Sequence, residues 1–60
     1  MVNLDSKCHT PKYDGKTWEY VINNDPAYVK WMIENIPQFE LSNEAYTQYC
    51  KSCSNAGIEP

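Results

Sequence analysis

Sixty residues, a net charge of −3 and the absence of arginine exclude several function classes at once. A chain this short buries only about 60% of the surface its unfolded form exposes, so it needs dense aromatic packing, a metal or a partner to be stable. Tight binding to a nucleic-acid backbone needs several cations, and arginine supplies the bidentate phosphate contacts, so strong autonomous DNA binding is not expected.

The charge is unevenly spread. Residues 1–16 set Lys7, Lys12 and Lys16 against Asp5 and Asp14, a balance of +1. Residues 17–60 set Lys30 and Lys51 against Glu19, Asp25, Glu34, Glu40, Glu44 and Glu59, a balance of −4. No apolar run approaches the ~20 residues of a membrane span. Met1-Val2-Asn3-Leu4-Asp5 lacks the features of a signal peptide. The expected location is therefore the cytoplasm, where the three cysteines should be thiols or metal ligands.

Residues 1–16 read as extended chain and turns. Asp14-Gly15 is a two-residue hairpin signal, which would set Lys12-Tyr13 across from Lys16-Thr17. Thr17 is a helix N-cap candidate with Glu19 in the first turn, and Trp18, Val21 and Ile22 follow at i, i+3 and i+4. This predicts a short first helix over 18–23. Asp25-Pro26 opens the best-marked element, a capping carboxylate followed by a proline where no N–H is needed, and Pro37 closes it. Within it Tyr28, Trp31 and Met32 form one apolar stripe and Val29, Ile33 and Ile36 another. That circumference predicts a core helix around which the chain folds, with Trp31 inside.

Phe39 and Leu41 are expected to plug the base of the core. Ser42 caps a third helix over 42–54, in which Tyr46, Tyr49, Cys50 and Cys53 make an amphipathic stripe and Gly57 supplies a left-handed end. Residues 55–60 form a tail. The expected fold class is a small, α-rich α+β domain spanning residues 1–60, an N-terminal hairpin or loop followed by three short helices.

The run Lys12-Tyr13-Asp14-Gly15-Lys16-Thr17-Trp18-Glu19-Tyr20-Val21, with Asp25-Pro26-Ala27-Tyr28-Val29-Lys30-Trp31-Met32 after it, resembles the C-terminal domain of exodeoxyribonuclease X-like proteins. That pattern is written loosely F-G-K-Y-K-G-K-T, helix, D-P-x-Y-v-x-W-l, and the resemblance covers Lys12 to Ile36. Relatives of the module also occur as short free-standing proteins, often in phages. The resemblance implies an accessory binding element without the nuclease domain. The family's Phe-Gly pair is Thr10-Pro11 here and its second lysine is Asp14, which weakens the transfer of a nucleic-acid role to the basic turn.

Cys50-Lys51-Ser52-Cys53 is a C-x-x-C, and Cys8-His9 adds two further donors, so a Cys₃His zinc site would join the two ends of the chain. Against zinc, adjacent Cys8 and His9 rarely reach one metal, and Cys50 and Cys53 already fit the apolar stripe as small hydrophobes. No other cofactor is expected. A redox C-x-x-C is disfavoured at the C-terminal end of a helix, where the dipole has the wrong sign to lower a thiol pKa. With two glycines there is no phosphate-cradling loop, and neither H-E-x-x-H nor G-x-S-x-G occurs, so the chain is read as a non-enzyme.

The leading expectation is a small acidic accessory protein of phage type that binds a host or phage protein, in the host cytoplasm if phage-encoded. Tyr20, Tyr28 and Tyr46 are its contact candidates, because three short helices cannot hide so much aromatic surface and such residues are enriched in interfaces. Lys12, Tyr13 and Lys16, with Lys30 beside them, form the basic aromatic face on which a nucleic-acid alternative rests. A zinc-stabilised structural module is the third reading.

Overall fold

A computed structural model describes residues 1–60. Three helices follow one another: α1 over Trp18–Asn24, α2 over Pro26–Asn35 and α3 over Asn43–Ala56. Each start is a local capping event. Thr17 Oγ1 accepts from the Tyr20 N–H, Asp25 from the Tyr28 N–H and Ser42 Oγ from the Ala45 N–H, satisfying donors that have no partner inside the helix.

The end of α3 is equally local. Gly57 sits at φ 72°, its N–H reaching the Ser54 carbonyl, while the Ile58 N–H bonds the Cys53 carbonyl at 2.8 Å. This Schellman arrangement needs a left-handed residue. Nothing lies within 4 Å of a Cβ placed there, so Gly57→Ala meets backbone strain alone. The expected cost is about 1 kcal/mol, read as a fall in thermal midpoint of roughly 4–8 °C.

About half of the chain (52%) is helical and only 7% has strand character, in two isolated bridges and no sheet, so the fold is mainly helical rather than α+β. The bridges tie the N-terminal segment down. Val2 lies parallel to Leu41, its N–H bonding the Glu40 carbonyl at 2.7 Å and its carbonyl accepting from Ser42 at 2.8 Å. The carbonyls of Ser6 and Leu4 accept the N–H groups of Trp18 and Glu19, which open α1.

The two-residue hairpin does not form. Only Gly15, at φ 87°, adopts positive φ in the turn, and a type I′ turn needs two such residues. Instead Lys7 pairs with Thr17, and the Cys8 N–H reaches the Lys16 carbonyl at 2.7 Å, closing a wider loop. Inside it, turns join Thr10 to Tyr13 and Tyr13 to Lys16.

The core comprises Cys8, Trp18, Val21, Ile22, Val29, Ala45, Tyr49 and Cys53. Phe39 and Leu41 pack against it as expected, the Phe39 ring 5.1 Å from that of Trp18. The central helix is the correction. α2 buries only Pro26 and Val29, and Trp31 is 52% exposed, so the core is made chiefly by α1 and α3. Neither apolar stripe of α2 is buried whole: Val29 is in the core and Tyr28 and Met32 pack against it, while Trp31 and Ile33 are exposed.

One inter-helix bond corresponds to no sequence motif. Ser52 Oγ donates to the Ile22 carbonyl at 2.7 Å in a buried setting, satisfying an acceptor in the last turn of α1. The stripe on α3 is accordingly rotated: Ala45, Tyr49, Ser52 and Cys53 are buried, Cys50 is half-buried and Tyr46 is exposed.

Candidate functional site

The loop before α1 and the start of α2 meet at Asp25. Its carboxylate caps α2, accepts the Tyr13 hydroxyl at 2.7 Å and pairs with Lys12 Nζ at 3.0 Å. These donors, the Tyr13 hydroxyl foremost, hold the Asp25 carboxyl below its ordinary value. The same hydrogen bond raises the Tyr13 phenol, and the bond to Asp25 raises the Lys12 ammonium. Asp25 thus contributes to stability above the ordinary carboxylate range and loses that contribution as pH falls through its lowered value.

Aromatic rings gather around this lock. The Tyr13 ring lies 5.5 Å from Tyr28 and 6.3 Å from Tyr20, the latter edge-on. Lys12 Nζ stands 5.4 Å from the Tyr13 centroid and 5.5 Å from the Tyr28 centroid, within cation–π range of both. Lys16 Nζ stands 5.1 Å from the Tyr20 ring and joins no ion pair. A shallow groove of about 480 Å³ is lined by Lys12, Asp25, Ala27, Tyr28 and Trp31.

Five of the six contact candidates from the sequence, Lys12, Tyr13, Lys16, Tyr20 and Tyr28, therefore share this cluster. Tyr46 does not. It stands beside Tyr49 at 5.8 Å and lines a separate groove with Lys30, Ile33, Glu34 and Pro60. Lys30 leaves the basic face as well, its Nζ donating to the Glu59 carbonyl at 2.6 Å. Two residues outside the contact set turn out to be central. The sequence marks Asp25 as a helix cap and Trp31 as core, and both also fall in the D-P-x-Y-v-x-W run; the structure sets Asp25 against Lys12 and Tyr13 and leaves Trp31 half exposed in the same groove.

The candidate metal ligands divide between the core and the surface. Cys8 and Cys53 lie fully buried in the core, and Cys8 Sγ contacts Thr10 Oγ1 at 3.2 Å. Cys50 is half-buried, and the exposed His9 faces Asp14, Nδ1 to Oδ1 3.8 Å. All three thiols are free, and no three His, Cys, Asp or Glu side chains converge as metal ligands. No helix is long and apolar enough to cross a membrane.

No curated protein and no solved structure is significantly similar to the chain. The residues that build the aromatic and charged lock, from Lys12 to Trp31, all lie in one matched stretch. Residues 12–36, comprising the loop, α1 and α2, match the family model of the exodeoxyribonuclease X-like C-terminal domain.

Proposed function

We propose that this chain is a non-catalytic accessory module that docks on a partner protein through the face formed by Tyr28, Ala27 and Trp31. The observation that carries the reading is the exposure of Trp31, at 52%, in a groove whose nearest cation is already neutralised by Asp25 at 3.0 Å. An exposed tryptophan beside a tyrosine, rimmed by charge, matches the composition of interface centres. A net charge of −3 without arginine favours a protein over a phosphate backbone. The matched family describes the terminal part of larger proteins, which supports an accessory role over a catalytic one. Relatives of the module that residues 12–36 resemble occur in phages, so a host protein is the first partner to seek.

A nucleic-acid reading is favoured by one separate feature. Lys16 lies over Tyr20 without a carboxylate partner, a cation and a stacking ring side by side, in a stretch similar to part of an exodeoxyribonuclease-like protein.

Affinity capture from a bacterial extract, with and without nuclease, separates the two. The expected result is a stoichiometric protein that survives nuclease and moderate salt and is lost by at least about tenfold with Trp31→Ala, as for a centrally placed interface residue. A catch that vanishes with nuclease or salt, and with Lys16→Ala but not Trp31→Ala, overturns the protein reading.

A further inference from the structure

We propose that Tyr13, Tyr28 and Asp25 form a cation-binding pocket that Lys12 occupies as a tethered stand-in, and that a lysine-type ammonium of the partner takes its place on docking. This rests on the protein-docking reading above and specifies its chemistry.

Two elements, the loop before α1 and the start of α2, converge on one point. Two tyrosine rings and a carboxylate surround a single ammonium, at 5.4 and 5.5 Å from the ring centroids and 3.0 Å from Asp25 Oδ2. Ring faces and a carboxylate attract the same sign of charge, so the pocket selects a cation. An anion is repelled by Asp25, and an apolar guest leaves that carboxylate without its charge partner.

The pocket can exchange its occupant. The Lys12 side chain is 60% exposed, whereas that of Asp25 is only 21% exposed, so the guest faces water while the host is seated. When Lys12 swings out, the Tyr13 hydroxyl and the Tyr28 N–H still hold the carboxylate in place. The groove lined by Lys12 and Asp25 also takes in Ala27, Tyr28 and Trp31, so the vacated point adjoins the proposed docking face. Lys16 over Tyr20 lacks a carboxylate and makes no second pocket.

Two-dimensional NMR titration of the full chain with tetramethylammonium chloride, against sodium chloride as the ionic-strength control, tests this. Lys12→Ala is expected to bind the probe saturably, with shifts at Tyr13, Tyr28 and Trp31, at least about tenfold tighter than the wild type, because the competing occupant is gone. Adding Asp25→Asn, which preserves the cap, should weaken that binding about tenfold. A well-dispersed Lys12→Ala spectrum with no saturable shift beyond the salt control overturns the proposal. Lys12→Gln retains the side-chain stem and decides the matter by the same criteria if Lys12→Ala does not fold. Loss of partner capture with Trp31→Ala alongside an unresponsive Lys12→Ala removes the cation pocket and leaves the docking face standing. Probe binding without any partner capture supports the pocket and removes the docking reading.

Discussion

Ile22→Ala is expected to unfold a large part of the population near ambient temperature. Ile22 is completely buried in α1, and its carbonyl receives the buried Ser52 hydroxyl from α3. Removing its side chain leaves a cavity at the meeting of the two helices that make most of the core, at a cost of about 2–5 kcal/mol. A chain of this length has only about 3–9 kcal/mol in total. A thermal melt followed by circular dichroism should show the midpoint falling by at least about 10 °C. Trp31→Ala deletes a larger side chain, yet should stay within about 1 kcal/mol because that ring is half in water. The opposite order, with Trp31→Ala the more damaging, would mean that α2 and not α1 carries the core.

The second large effect is alkaline. Burial pushes the Tyr49 phenol far above its ordinary range, with contact to the Cys53 thiol adding to the shift. The Tyr13 phenol is raised by its hydrogen bond to Asp25, and that of Tyr46 by its contact with Cys50. In each case the folded chain keeps a proton that the unfolded chain gives up near pH 10. The stability these groups provide is complete below about pH 10 and is lost as pH rises beyond it. For a single phenol held protonated, the slope approaches about 1.4 kcal/mol per pH unit. Urea midpoints at about pH 8 and pH 11 should therefore differ sharply. Tyr49→Phe keeps the ring and should remove the largest share of that difference. Equal alkaline sensitivity in the variant would move the effect away from Tyr49.

The helix starts and stops were determined by the sequence itself, because capping is chemistry between residues three or four apart. Thr17, Asp25-Pro26, Ser42 and Gly57 each satisfy backbone groups of their own neighbours, and α1 and α2 lie within a residue of expectation. The sequence assigned Lys12 and Tyr13 to one face and Tyr20 and Tyr28 to another; that they form one cluster was decided by how the loop packs on α1 and α2.

Tertiary structure alone decided which faces are inside. Trp18 and Trp31 are equally apolar, but only Trp18 is buried in the core, with the Phe39 ring packed against it. Cys8 became core and a loop anchor because its backbone is stapled to Lys16 and Gly15, a register that the Asp14-Gly15 turn signal misassigned. Ser52 went inward because a carbonyl thirty residues away needed a donor. Burial and long-range hydrogen bonding depend on what packs opposite a residue, and in three short helices there is too little chain to cover every apolar stripe. Trp31 is left over in this way, half exposed at the edge of the α2 face proposed above for docking.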